Sequence, residues 1–411
     1  MFTTSFIKKY KKKVILGLIK RNFSKLNIID YLLKLEKEKF NKIVIKKYFI
    51  AKLKKISFSI RYTINNSLLL KKATRYKKKM KILDAILSVL SKKIFNLLIQ
   101  IPNLLYKKVP LTKDILLYQN LKLAYKNKLL THWELGKKFH LFNFASHISG
   151  SGFNIYIDKG AKLQRSLIQY CLDKNIHAGY MEYVLPFLVN KNSIFGTGQF
   201  PDKKKQMYFL EKDKLYLIPT AEIPLINVFR RSLFNINDLP CKATSFTSCF
   251  RREAGSYGLK VKGLNRLHQF DKVEIIEITS DTDSYKSFNH MVRHVKNLLS
   301  SFKIPFRIIN ISSKYLGVTS ALTYDFEVFS PGQNKWLEVS SVSNCTNFQS
   351  HRMGIKFINN DGKKYFCHTL NGSSLAIPRL FAALIENYQF SEYIQIPKVL
   401  INYFLDNKIL L

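Results

Sequence analysis

Residues 243–279 read A-T-S-F-T-S-C-F-R-R-E-A-G-S-Y-G-L-K-V-K-G-L-N-R-L-H-Q-F-D-K-V-E-I-I-E-I-T. Two apolar runs, 243–250 and 269–279, flank a segment rich in glycine and basic residues. Each run has the length and β-branched content of a strand, so the stretch predicts two strands joined by a long return. On an extended chain Arg251 and Glu253, two residues apart, point to one face. Working outward, 215–219, 306–310, 324–329, 335–343 and 364–369 also read as strands, and 181–188 as a strand interrupted by Pro186. Residues 160–178, 283–302 and 375–388 read as helices, with Gly372-Ser373-Ser374 opening the last. Strands with short returns and few helices between them predict an α+β domain, an antiparallel sheet flanked by helices. No G-x-x-x-x-G-K-[ST] loop is present, nor a G-x-G-x-x-G turn after a strand. A nucleotide bound here would be held without either common phosphate loop.

The first quarter of the chain has another texture. Leu69, Ala73, Tyr76, Met80, Leu83, Leu87, Leu90, Ile94, Leu97 and Ile101 alternate at spacings of four and three, with mainly lysine between them. That is the seam of a coiled-coil helix, and such a seam needs a partner. Residues 26–60 supply it in two phases, Leu26, Ile29, Leu33, Phe40 and Ile43 in one and Phe49, Leu53, Ile56 and Ile60 in the other. Residues 62–66 read as the turn between antiparallel arms of about 35 residues, or about 50 Å each. Ile101-Pro102-Asn103 ends the second arm, because the residue before a proline is pushed out of the α region. The expected organisation is an all-α domain over 1–110, its arm spanning about 26–101, followed by an α+β domain over 111–411.

Charge follows this division. Lys+Arg number 68 against 27 Asp+Glu, a net +41, and residues 1–110 carry +25 of it. An excess of this size favours nucleic acid or anionic lipid as partner. An AT-rich coding sequence would also raise lysine together with Ile, Asn, Phe and Tyr, so the location of the charge says more than its total. Hydrophobic residues at 46% exclude wholesale disorder, and no run approaches the about 18 apolar residues of a spanning helix. Five widely spaced cysteines form no C-x-x-C pair, which suggests neither a zinc ribbon nor a disulfide framework and fits a reducing cytosol. The opening MFTTSFIKKYKKK has the basic, acid-free character of a transit peptide, without a small-residue cleavage site.

Several side chains have the chemistry to handle a triphosphate and an amino acid. Arg251 is a planar fork suited to phosphate, and Glu253 beside it can orient that fork or accept from an adenine amino group. Arg379, early in a helix, adds a second fork near a positive helix end. Glu338 on a strand can hold a divalent cation. Glu222 and Glu274 are carboxylates in basic surroundings, fitted to an ammonium group and a small hydroxyl. Singly, each spacing also suits a surface ion pair or a solvated carboxylate. The residues alone reach a nucleotide-using α+β domain behind a basic, RNA-directed helical hairpin.

Longer strings go further. GTGQFP at 196–201, IPTAEIPL at 218–225, FRREAGSYG at 250–258, GLNRLHQFDKVE at 263–274, EVSSVSNCTNFQSHR at 338–352 and HTLNGSSLAIPRLFAALIENYQ at 368–389 occur in this order. Together they resemble the bacterial-type seryl-tRNA synthetases along almost the whole chain. The resemblance implies a class II aminoacyl-tRNA synthetase catalytic domain. Its motif 1 would lie at about 160–188 and form a homodimer interface, motif 2 at about 243–278, and motif 3 at about 372–388. It implies ATP and Mg2+ as cofactors, with Arg251, Arg252, Glu253, Phe270, Glu338, Val339, Ser340, Ser341 and Arg379 around ATP and Phe270 stacked on adenine. Arg251, Glu253 and Arg379 would be catalytic, and Glu338 and Ser341 would hold the metal. Thr220, Ala221, Glu222, Arg251, Glu274, Asn371 and Ser373 would line the serine pocket. Serine would be activated to seryl-adenylate and passed to serine tRNA, with selenocysteine tRNA as a further acceptor, and the hairpin would meet the long variable arm. Val14, Gly17, Leu18 and Arg21 align with the family's own first helix, which favours the cytoplasm over a transit peptide, and no membrane partner is expected. Four positions depart from the pattern: Gly152 and Lys262 stand where arginine is usual, His351 replaces the first of an arginine pair, and Pro186 stands where two prolines are common.

Overall fold

A computed structural model describes residues 2–62, 66–121, 129–202, 206–253 and 262–411. The chain divides into two compact units, Met1–Leu104 and Leu105–Leu411. Residues 105–110 fall in the second unit, where the Tyr106 N–H donates to the Ala321 carbonyl at 2.9 Å and Asn310 Nδ2 donates to the Lys108 carbonyl at 2.9 Å.

The first unit is helical: α1 (Thr4–Lys9), α2 (Lys11–Lys20), α3 (Ile28–Ile60) and α4 (Ser67–Leu98). Ile7, Val14 and Leu18 are wholly buried with Ile29, Leu32, Leu90, Ile94 and Ile101. Phe49 meets Tyr76 at 5.4 Å between ring centroids and Lys46 pairs with Asp84, so α3 and α4 run antiparallel. The expected α4 seam holds, since all ten of its positions are buried or half-buried while most residues between them are exposed. Of the two phases expected for α3, Leu26, Ile29, Leu33 and Ile43 of the first and Phe49, Leu53, Ile56 and Ile60 of the second are buried or half-buried, but Phe40 is 64% exposed. Positions 39, 42 and 46 are half-buried as well and continue through 49, 53, 56 and 60 at spacings of three and four. Lys39, Lys42 and Lys46 occupy seam positions, where their aliphatic stems cover the stripe and the ammonium groups reach water. Three lysines in a row at the seam concealed one continuous repeat. The turn expected at 62–66 lies largely outside the described residues.

The second unit is built on an eight-stranded sheet: β1 (Ile115–Gln119), β2 (Met181–Glu182), β3 (Cys241–Phe250), β4 (Gln269–Thr279), β5 (Phe306–Asn310), β6 (Leu322–Ser330), β7 (Lys335–Asn344) and β8 (His368–Ala376). Their order is β1-β5-β6-β7-β8-β4-β3-β2. Every pair is antiparallel except β2 with β3. The helices that frame it are α5 (His132–Lys138), α6 (Asp158–His177), α7 (Glu222–Val228), α8 (Ser284–Ser301), α9 (Phe348–Met353) and α10 (Ile377–Asn387). Val273 and Ile275 of β4 join the main core with Leu167 of α6, Met291 of α8 and Leu384 of α10. The alternate positions Ile276 and Ile278 pack with Leu225 and Ile226 of α7, as a strand's period of two requires.

Three expectations are corrected. Residues 372–376 do not open a helix: β8 runs to Ala376, paired with β7 as far as Gly372 and with β4 to Ala376, and α10 starts only at Ile377. Pairing with the neighbouring strands overrode the local G-S-S signal. Residues 181–188 are not one strand, because β2 pairs with β3 while Leu188–Asn190 pairs with Leu215–Leu217 in a separate small sheet; Pro186, lacking an N–H, sits in the break. Arg251 and Glu253 are not on a strand, since β3 ends at Phe250 and Glu253 has φ 47°.

Candidate active site

Strand β4 lays the floor of the site. Phe270, Lys272 and Glu274 are spaced by two and so share one face. Two cavities adjoin along it. Phe270, Glu253, Asn265, Arg266, Val339, Ser340 and Arg379 line the first. Thr220, Glu222, Glu274, Asp325, Ser341 and Asn371 line the second. Arg251, Lys272, Glu338 and Ser373 line both.

The first cavity is walled by arginines. The Arg251 guanidinium lies over the Phe270 ring, 5.1 Å from its centroid, with Nε donating to the Pro219 carbonyl at 3.3 Å. Glu253 pairs with Arg266 at 3.1 Å. Arg379 donates from Nε to the Asn265 carbonyl at 3.1 Å and from Nη1 to the Glu338 carbonyl at 2.7 Å. Three forks around one aromatic face suit a nucleotide with its phosphates.

The second cavity is acidic, and its Glu222 and Glu274 are buried. Lys272 pairs with Glu274 and donates to Thr220 Oγ1 at 2.8 Å. Glu222 accepts from Gln349 Nε2 at 2.6 Å, and the Thr369 hydroxyl donating to Gln349 Oε1 at 2.6 Å fixes that amide's orientation. Burial and then the charge of Glu274 push the Glu222 carboxyl up to about 7, against hydrogen bonds from Gln349 and Asn371. Burial also raises Glu274, with Lys272 opposing. One lysine thus serves two buried carboxylates, which leaves the position for a second cation.

Register shifts aim the remaining side chains. In β7 Ser340 faces Phe326 but Glu338 faces Glu327, leaving Val339 over as a bulge. Residues three apart on a regular strand point to opposite faces; the bulge lets Glu338 and Ser341 line the same cavity. Asp325, opposite Ser341 in the register, leaves Oδ1 buried without a hydrogen-bond partner among the described residues. Its carboxyl is pushed up to about 8, by burial and then by Glu338. A second shift in β8, where Glu274 faces Ser373 and Lys272 faces Ala376, coincides with Leu375 at φ 99°.

Most of the expected site residues therefore meet. Two do not reach either cavity: Ala221 is wholly buried, and Arg252 is exposed, its N–H donating to the Gln206 carbonyl at 2.7 Å. Lys272, Asn265, Arg266, Gln349 and Asp325 were not foreseen. Period-two spacing between Phe270 and Glu274 carried a signal for Lys272; for Asp325 the sequence carried none.

Residues 208–388 match the family model for the tRNA synthetase class II core domain (G, H, P, S and T). A serine–tRNA ligase of Hydrogenobaculum sp. (strain Y04AAS1) is 38% identical over 419 residues, covering 98% of this chain and 99% of its own. This chain belongs to the serine–tRNA ligase family. The serine–tRNA ligase of Methylacidiphilum infernorum (isolate V4) is 46% identical over 282 residues, 67% of this chain. Among solved structures, the seryl-tRNA synthetase of Pyrococcus horikoshii complexed with ATP superposes with a TM-score of 0.93 at 30% identity, covering 100% of this chain and 99% of that one. The cytoplasmic serine–tRNA ligase of Naegleria fowleri in complex with AMP shares the fold, with a TM-score of 0.86 at 24% identity.

Within this serine–tRNA ligase fold the departing residues line neither cavity. Gly152 has φ 83°, and a Cβ there would run into the His268 ring, so its backbone is one that glycine adopts without strain. Lys262 sits over the Trp133 ring at 4.7 Å. His351 stacks on Phe366 at 3.7 Å, and burial lowers its imidazole to about 4. Arg352 is sandwiched between Phe195 and Phe348.

Proposed function

We propose that this chain activates L-serine with ATP and passes the seryl group to serine tRNA. The observation that carries the reading is the pair of adjoining cavities, one walled by arginines and one by buried carboxylates, with Arg251 between them. Glu222 and Glu274 receive the serine ammonium, which supplies the second cation that their burial calls for. Thr220, Asn371 and Ser373 face its hydroxyl. A pocket that hydrogen-bonds a hydroxyl rejects analogues lacking one, because its polar groups would be left unpaired. A serine carboxylate oxygen attacks the α-phosphorus of ATP, the bond to the bridging oxygen breaks, and pyrophosphate leaves. The ribose hydroxyl at the tRNA 3' end then attacks the seryl carbonyl and AMP leaves. Arg251 and Arg379 neutralise the phosphate charge that shifts in the first step, and positioning with charge neutralisation suffices without a nucleophilic side chain. Glu253, held by Arg266, faces the adenine, and Phe270 stacks on it.

The metal assignment fits the donors present. Glu338, Ser341 and Asp325 offer oxygen only, and the unpartnered Asp325 oxygen beside Glu338 suits a hard cation. Mg2+ held by Glu338, Ser341 and Asp325 would offset phosphate charge.

The remaining assignments belong to the same reading. The first unit, Met1–Leu104, with its arm at 26–101, binds the variable arm of the tRNA through phosphate contacts that lysine-rich helices supply without a base code. Residues 160–188 form the homodimer contact; Met181 and Val184 there are 63% and 96% exposed, an apolar surface awaiting cover. Among the described residues no helix is long and apolar enough to cross a membrane, and the protein works in the cytoplasm. Selenocysteine tRNA, with its own long variable arm, is a second acceptor.

Purified protein is expected to catalyse ATP–pyrophosphate exchange with serine and not with threonine, proline or glycine at equal concentration. Exchange with none of the four would refute the reading. Deleting residues 41–90 is expected to leave exchange within about twofold, since the cavities lie wholly in the second unit, and to lower tRNA aminoacylation by roughly two orders of magnitude or more through lost phosphate contacts. Unchanged aminoacylation by the deletion would remove the hairpin from tRNA recognition.

A further inference from the structure

His132, at the start of α5, takes no part in the steps above, yet it anchors a wall of the nucleotide cavity. His132 and Glu386 are both wholly excluded from solvent. The Leu264 N–H donates to His132 Nε2 at 2.9 Å, so the ring proton sits on Nδ1, which donates to Glu386 Oε1 at 2.8 Å. The His132 backbone N–H donates to the same oxygen at 2.8 Å. The other carboxylate oxygen accepts the Gly332 N–H at 3.1 Å and the Ser330 hydroxyl. Gln333 donates to Ser330 Oγ at 2.7 Å and accepts from Asn265 Nδ2 at 2.9 Å. Every polar atom of the imidazole and of the carboxylate is used, so the cluster is rigid and neither residue can shift alone.

What this cluster grips is the short turn Gly263–Asn265. The turn is pressed onto the imidazole: Gly263 has φ 68°, and a Cβ there would meet the His132 ring and come within 2.8 Å of Trp133 Cε3. The Asn265 carbonyl accepts from Arg379 Nε, and the next residue, Arg266, holds Glu253. Two groups assigned to ATP, Arg379 and Glu253, therefore take their places from a turn whose Leu264 N–H is held by a histidine nitrogen, and from the Arg266 that follows it.

We infer that His132 is a positioning residue for ATP: by accepting from the Leu264 N–H, with Glu386 behind it, it sets where Arg379, Arg266 and Glu253 meet the nucleotide. It touches no substrate. The serine cavity is lined by none of these turn residues, so the effect is confined to the nucleotide side. The inference rests on the proposed serine activation, and wild-type exchange tests that reading separately.

The experiment is serine-dependent pyrophosphate exchange with each substrate varied in turn. His132→Phe, which keeps a planar ring and removes both nitrogens, is expected to raise KM for ATP about tenfold, in keeping with the cost of small misplacements. KM for serine should stay within about twofold. His132→Gln, whose Oε1 can accept from Leu264, should recover most of the ATP effect. A fall in kcat with both KM values unchanged would mean only fewer folded molecules and would overturn the inference, as would equal rises in both. Should His132→Phe not fold, Gln333→Met at a partly exposed position removes the one hydrogen bond from Asn265 to the cluster, together with the amide's own bonds to Ser330 and Glu386. It is expected to raise KM for ATP about threefold, the loss of one hydrogen bond, and an unchanged value would overturn the inference in that case too.

Discussion

Arg251→Ala is expected to abolish serine-dependent ATP–pyrophosphate exchange and to leave serine tRNA bound. Arg251 lines both cavities, and in the proposed reaction the α-phosphorus must sit between them. Loss of one preorganised donor to a developing charge costs roughly 10²–10³ in rate. Here the missing group is a full charge that also lies over Phe270, so the upper end is expected, below the floor of an exchange assay. The tRNA effect is small because +25 of the net charge lies in residues 1–110. Exchange and fluorescence anisotropy with labelled tRNA measure the two arms. Exchange within threefold of wild type would remove Arg251 from the chemistry, and parallel loss of both activities would point to a folding defect.

Lys272→Met is expected to lower stability by about 3–5 kcal/mol at pH 8, the cost of leaving a buried charge without its partner. Lys272 is 6% exposed and serves Glu274 and Thr220; methionine fills the space and carries no charge. The loss has a pH signature. The folded Glu222 carboxyl lies at about 7, above the about 4.3 of an unfolded glutamate. A raised folded value means that its contribution to stability is complete below the unfolded value and is lost as pH rises through about 7. Removing the lysine removes a charge that holds Glu274 down, so the deficit is expected to shrink as pH falls and the acids take up protons, and to be widest at pH 8. Urea midpoints across that range measure it. A deficit independent of pH would show that packing, not charge, is what Lys272 contributes. Exchange at pH 8 should fall with it, because the serine pocket loses its fixed cation.

Much of the molecule was legible in the linear chain, and the exceptions share a cause. The α4 seam was readable because Leu83, Leu90 and Ile94 are apolar at heptad spacing and the residues between them are mostly lysine. The α3 seam was misread because Lys39, Lys42 and Lys46 fill seam positions with methylene stems, which a hydrophobic/polar pattern scores as outside. The strand pair at 243–279 was readable from its two apolar runs. The strand at 368–376 was not, because Gly372, Ser373 and Ser374 carry weak local preference and take their conformation from the strands they pair with, β7 as far as Gly372 and β4 beyond it.

The same division applies to the site. The types and order of Arg251, Glu253, Phe270, Glu274, Glu338 and Arg379 stand in the chain itself, and their chemistry follows from residue type. Which of them share a cavity was decided by cross-strand register. A bulge at Val339 turns Glu338 to the side of Ser341, a shift in β8 sets Ser373 opposite Glu274, and Asp325 reaches Glu338 and Ser341 only because β6 pairs with β7. Sequence by itself determined the elements and the reaction's functional groups, because those depend on periodicity and on individual side chains. Tertiary structure alone decided the faces, because one unpaired residue in a ladder reverses every side chain beyond it, and no local pattern records where that residue falls.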